Sequence, residues 1–220
     1  MIPHPIPRAL STSKRCNVRS VLMGGQACIL YGAAEFRRDV DIAILASEEN
    51  LRSLRRALED LAAEPIFFAP LDISYLERGH ACHFRCHHRE CVGLRLDVMT
   101  RMRGCDAFPV LWDRRTILDL PGLGGVGVLS LRDLVQCKKT QRDKDWAMLR
   151  RLVEIDYLAG RESAGGADAL CWLEELRSPL RLEDVCRRFR ACVRRVASRS
   201  PVSFGSRAPS PWLTVTRNGP

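Results

Sequence analysis

The sequence predicts an α/β (α+β) chain whose first half mixes strands with helices and whose second half turns helical. Three observations predict it. An apolar lead-in, a glycine turn, a helix and a strand follow one another between residues 21 and 45; a second alternating stretch runs from Leu94 to Met99; and apolar residues recur at helical spacing from Leu131 onward. A chain of 220 residues, 46% of them hydrophobic, can bury one core and carry a helical appendage.

The first helix is expected from about Gln26 to Glu35, because Ala27, Leu30, Tyr31 and Ala34 repeat every three or four residues. Val40, Ile42 and Ile44 then alternate with Asp39, Asp41 and Ala43, which is the period of a strand. A second helix starts at the cap Ser47, carries the stripe Leu51, Leu54, Leu58 and Leu61, and stops before Pro65. Ile66-Phe67-Phe68 and Ala81 to Cys86 read as short strands. Leu94, Leu96 and Val98 alternate with Arg95, Asp97 and Met99 in a further one.

Pro121 to Gly127 is glycine-rich and reads as a turn or hairpin connection. Ser130 followed by Asp133 makes a capping box for a helix from Leu131. Leu131, Leu134 and Val135, then Trp146, Leu149, Leu152 and Val153, supply apolar helix faces, and Trp112 and Trp146 are expected in the core. Between them lies the charged block Lys138 to Asp145. Residues 168–196 read as one or two more helices. The expected organisation is a core over residues 1–128, a helical segment over 129–197 and a disordered basic tail over 198–220, rich in Ser, Pro and Arg.

Composition excludes several classes. The charge-free stretch from Val21 to Ala34 is 14 residues long and contains Gln26, too short and too polar for a membrane span. Residues 1–14 lack an apolar signal-peptide core, so a cytoplasmic protein is expected, and its ten cysteines are expected as buried thiols rather than a disulfide framework. The net charge of +9 is uneven: residues 177–220 hold +8 of it, leaving the main body near neutral. A dedicated nucleic-acid-binding fold is therefore disfavoured, although RNA or an acidic partner fits the basic end.

The chemistry-bearing residues are acids and glycines. On a strand, Asp39 and Asp41 project to one face, where two negative charges about 4 Å apart repel by roughly 4 kcal/mol at an effective dielectric near 20. A hard divalent cation turns that repulsion into attraction. Asp97 offers a third carboxylate opposite the apolar face of its own strand. Gly24-Gly25, before a helix, lets the backbone approach a ligand while free N–H groups favour phosphate.

Gly24-Gly25, thirteen intervening residues, Asp39-Val40-Asp41-Ile42 and the later Asp97 together resemble the signature of the nucleotidyltransferase superfamily, whose fold is shared with polymerase beta. The resemblance covers roughly Val21 to Tyr157. Lys138 to Asp145 is similar to the Lys…Arg-x-Lys-Asp segment of small bacterial members, some of them related to the nucleotidyltransferase toxins of abortive-infection systems. One difference is visible: Gln26 follows Gly25, where the commoner signature is Gly-Ser.

That resemblance implies a mixed sheet flanked by helices, with further helices toward the C-terminus, and transfer of a nucleoside monophosphate from a nucleoside triphosphate to a hydroxyl. It implies Mg²⁺ (or Mn²⁺) held by Asp39, Asp41 and Asp97, with Asp97 also acting as, or positioning, the base. Gly24 and Gly25 would hold phosphate oxygens, and Lys138 or Lys139, with Arg142, would neutralise the triphosphate. The acceptor stays open between a protein, tRNA and a small molecule. A toxin–antitoxin role would add a cognate antitoxin as partner. The alternative is a catalytically degenerate member that binds a nucleotide or a protein.

A metal reading of Cys82, His83, Cys86, His87, His88 and Cys91 is weighed against buried thiols and surface histidines. The single crowded run, unlike two separated ligand pairs, favours the latter. Lys138, Lys139, Arg142 and Lys144 likewise read either as phosphate ligands or as a solvated helix face paired with Asp143 and Asp145.

Overall fold

A computed structural model of the chain describes residues 5–34, 39–139, 143–191 and 193–194. Seven strands form one sheet: β1 (Ser20–Met23), β2 (Asp39–Ile44), β3 (Ala63–Pro65), β4 (Cys82–Cys86), β5 (Arg95–Met99), β6 (Thr116–Leu120) and β7 (Gly124–Val128), in the order β3-β4-β5-β2-β1-β7-β6. The β2/β5 and β1/β7 pairs are parallel and the other four antiparallel, so the sheet is mixed. Its centre is the long apolar ladder of Val40, Ile42 and Ile44 with Leu96 and Val98, all buried.

The helices among the described residues are α1 (Pro5–Arg15), α2 (Gly24–Leu30), α3 (Glu48–Asp60), α4 (Ile73–Glu77), α5 (Phe108–Arg114), α6 (Leu131–Lys138), α7 (Asp143–Gly160), α8 (Gly166–Glu175) and α9 (Pro179–Arg188). Helix α2 packs on β1, β2 and α6; from there α6, α7, α8 and α9 pack in sequence, and α1 packs on α3. Ser47 caps α3 by accepting the Asn50 N–H, and Leu51, Leu54 and Leu58 are buried along its inner stripe. Ser130 caps α6 by accepting the Asp133 N–H at 3.2 Å, while Arg114 of α5 bonds the Asp133 carboxylate. Arg132 reaches Asp168 at 2.7 Å, and the Trp172 indole donates to Asp156 at 2.7 Å, which ties α6, α7 and α8 together.

Several elements differ from the sequence expectation. Residues 66–68 are not a strand. Helix α3 ends at Asp60, Ala62 reverses the chain at φ +45°, and the strand forms earlier, at Ala63–Pro65. It lies at the sheet edge, where a proline costs no ladder bond. Phe67 and Phe68 are then left 58% and 75% exposed. Helix α2 begins at Gly24 itself and stops at Leu30. Trp146 is half exposed instead of buried, and Trp112 lies part-buried between the guanidinium groups of Arg19 and Arg115. Helix α1 escaped notice because of its prolines, which a first helical turn tolerates. The expected tail, 198–220, lies outside the described residues. No helix among the described residues is long and apolar enough to cross a membrane.

Candidate active site

The sheet register assembles the site. On β2 and β5, which run parallel, Asp41 stands opposite Asp97 and Asp39 opposite Arg95. The antiparallel neighbours extend the row: β4 places His83 beside Asp97, and β1 places Met23 beside Asp41. One transverse row thus reads His83, Asp97, Asp41, Met23, with Gly24 and Gly25 following directly from the last. Neighbouring strands lie about 4.8 Å apart, so the two central carboxylates share one face at close range.

Gly24 is fixed by this arrangement. Its φ is +67°, and a β-carbon built there would lie 1.8 Å from Asp41 Oδ2. Only glycine lets the backbone sit on the carboxylate. The Gly25 N–H points the same way, donating to Asp41 Oδ2 at 3.4 Å. Burial pushes the Asp41 carboxyl above its ordinary pKa, the neighbouring Asp97 charge pushes it further, and Asp39 adds a smaller push. The Lys138 ammonium and the Gly25 N–H act in the opposite sense.

Asp97 is buried and fully engaged on one oxygen. His83 Nδ1 and Arg95 Nε both lie 2.8 Å from its Oδ1. Arg95 Nη2 also lies 3.1 Å from His83 Nδ1, but a ring nitrogen that donates to Asp97 cannot also accept from arginine.

These groups line a cavity of about 460 Å³, with Met23, Gly24, Gly25, Asp39, Asp41, Arg95 and Asp97 on the sheet side and Cys137, Lys138 and Asp145 on the helical side. Lys138 ends α6 and is buried. Lys139 turns away and pairs with Glu175 of α8. Arg142 lies outside the described residues. The structure therefore brings together Gly24, Gly25, Asp39, Asp41, Asp97 and Lys138, and leaves Lys139 apart. A roomier cleft of about 640 Å³ is lined by Arg19 before β1 and by Arg52, Arg55 and Arg56 of α3, with Glu49 and Glu59.

Four charged cavity residues were not among the predicted site residues: Arg95, Arg101, Arg103 and Asp145. Arg95 was legible in principle, since it lies two positions before Asp97 on the same strand face. Asp145 closes the Lys138–Asp145 segment singled out in the sequence, whereas the two arginines follow from tertiary packing alone. His83, expected at the surface, is held part-buried by Asp97.

The oxygen donors suit a hard divalent cation, and the raised Asp41 pKa marks a site where added positive charge would relieve repulsion. As they stand, the described residues contain no group of three or more His, Cys, Asp or Glu arranged to hold a metal ion. Among the carboxylates, His83 and Arg95 both engage Oδ1 of Asp97. In the cysteine and histidine run, the Cys86 and Cys91 thiols contact each other and the histidines have other partners. Cys82, Cys86 and Cys91 are buried, burial pushes the Cys86 thiol up to about 12, and His87 and His88 face Glu64 and Glu90.

No protein-family model matches the chain, and no curated protein matches it. Among solved structures it is similar to an H. pylori protein provisionally described as a nucleotidyltransferase, at 14% identity and a TM-score of 0.44, over 89% of this chain and 94% of that one. It is also similar to the antibiotic-resistance factor ANT(2'')-Ia, at 11% identity and a TM-score of 0.40, over 88% and 94%.

Proposed function

We propose that this chain is a divalent-metal-dependent nucleotidyltransferase that moves a nucleoside monophosphate from a nucleoside triphosphate to a hydroxyl. One observation carries the reading: Asp41 and Asp97 meet in register on parallel strands, directly under the Gly24-Gly25 turn, with Lys138 across the cavity. Acids beside a glycine turn and a buried lysine are the parts that phosphoryl-group chemistry needs, because its catalysis is mostly positioning and charge neutralisation.

Asp39 and Asp41 would hold Mg²⁺ or Mn²⁺, with Asp97 completing the set. The cation would supply neutralisation of the triphosphate and of charge developing at the reacting phosphorus. Gly25 N–H and Lys138 would bind triphosphate oxygens. Asp97, held in place by His83 and Arg95, would take or direct the proton of the acceptor hydroxyl. The new bond forms between that oxygen and the α-phosphorus; the bond to the β-phosphate breaks and pyrophosphate leaves.

Asp41→Asn should lower Mg²⁺-dependent pyrophosphate release and transfer of label from a nucleoside triphosphate by about 10³-fold, the scale of losing a group that stabilises transition-state charge. Equal turnover in both proteins would sink the reading. The Arg95–Asp97 ion pair favours one alternative, a degenerate nucleotide-binding module in which arginine stands where a cation would act. In that case triphosphate would raise the thermal midpoint of the wild-type protein without any pyrophosphate appearing. A cytoplasmic setting, partnership with an antitoxin and the division into a core and a helical segment rest on the sequence.

A further inference from the structure

Beyond the cavity, the transverse row continues into a patch of aromatic residues. From Gly24 and Gly25 it passes Asp41 and Asp97 to His83, and the Phe67 ring then meets His83 edge-on at 5.7 Å, with the Arg95 guanidinium 5.8 Å from the Phe67 centroid. Phe68 follows, edge-on to Tyr75 at 5.2 Å and to His80 at 6.5 Å. Tyr75 and His80 pack at 5.8 Å, and Arg78 covers the Tyr75 ring at 4.9 Å. Two phenylalanines more than half exposed beside a polar cavity are unusual in a folded chain, since large apolar side chains ordinarily find cover.

The order of groups assigns the two ends of the site different tasks. This step rests on the proposed transfer reaction. The glycine turn and Lys138 lie on the Asp41 side, so the triphosphate occupies that side. An acceptor hydroxyl that reaches Asp97 must arrive from the other, where His83, Phe67, Phe68, Tyr75 and His80 lie.

We propose that this aromatic wall receives the acceptor, and that the acceptor presents a nucleobase together with phosphate. Edge-to-face contacts among the rings leave an exposed Phe68 surface for a planar group. Arg78 and Arg95 flank the wall, and Arg101 and Arg103 line the adjoining cavity together with Asp39, Asp41, Asp97 and Asp145, while Asp72 and Glu77 lie on and beside α4. Exposed rings flanked by guanidinium groups suit a nucleotide unit, whose base stacks while its phosphate meets arginine.

The test uses the full chain and charge-neutral substitutions. Fluorescence anisotropy would follow a labelled single-stranded oligoribonucleotide of about ten residues, and competition would follow a free nucleoside monophosphate, which separates a strand end from a free nucleotide as the source of the same chemistry. Phe67→Ala/Phe68→Ala should weaken oligonucleotide binding about ten-fold or more, the scale of losing one or two stacked bases, while the slope of affinity against salt stays unchanged. Competition by the mononucleotide at similar concentration assigns a free nucleotide, and its failure to compete assigns a strand. Unchanged affinity in the double variant overturns the proposal. So does a wild-type dimer that the double variant converts to monomer, because the wall is then an interface between copies. Mg²⁺-dependent pyrophosphate release from a nucleoside triphosphate by the wild-type protein reports on the transfer reading separately.

Discussion

Gly24 and Asp41 occupy nearly the same space, and that close approach sets the character of the site. The glycine has positive φ, and its missing side chain is the space the carboxylate fills. Gly24→Ala should therefore act twice: it strains the backbone by about 1–3 kcal/mol and displaces the Asp41 carboxylate. A lower thermal midpoint combined with loss of triphosphate binding is expected, and calorimetry with a binding titration would read both. Full binding in this variant would show that Asp41 need not lie under the turn. The Gly-Gly pair was legible in the sequence as a turn before a helix. That Gly24 serves the carboxylate more directly than a phosphate was not, because this depends on which strand lies beneath it.

At the scale of elements, α6 links the sheet to the helical half. Its first turn is held by Ser130, Asp133 and Arg114, and its last residue is Lys138 in the cavity wall. Asp133→Ala removes a cap partner and leaves Arg114 without its buried acceptor, which should cost about 1–3 kcal/mol, discounted for the partial exposure of Arg114. Urea denaturation would measure the loss. If α6 positions Lys138, triphosphate affinity should fall in the same variant; a stability loss with unchanged affinity would separate the cap from the site. The capping box was readable from Ser130 and Asp133. The edge strands β3 and β6 were not, because each is short, partly exposed and defined by its neighbour rather than by its own pattern.

For the whole molecule, the acid row should make stability depend on pH and, on the proposed reading, on divalent cations. The folded Asp41 carboxyl has a raised pKa, so between the ordinary carboxylate value and that raised value the native state binds more protons than the unfolded chain. Stability from this group is fully present below the unfolded pKa and is lost as pH rises through the folded one. In chelator, Asp41→Asn should therefore raise the neutral-pH thermal midpoint and flatten its pH profile. Millimolar Mg²⁺ should stabilise wild type at neutral pH, by about 2.7 kcal/mol at a hundred times its Kd, and leave the variant unmoved. An equal Mg²⁺ response in both proteins would place the cation elsewhere.

By itself, the sequence determined the strand Asp39–Ile44, the capped helices α3 and α6, the helical second half, and the set of glycines and acids worth watching. These are local properties: side-chain period, cap chemistry and chain reversal are written in neighbouring residues. Tertiary structure alone decided the rest. Sheet order put Asp41 against Asp97 and His83 against Asp97, packing turned Lys138 into the cavity and Lys139 out to Glu175, and the edge position of β3 left Phe67 and Phe68 exposed beside the site. Strand pairing joins residues far apart in the chain, and no local pattern in a single sequence records which strand will lie beside which.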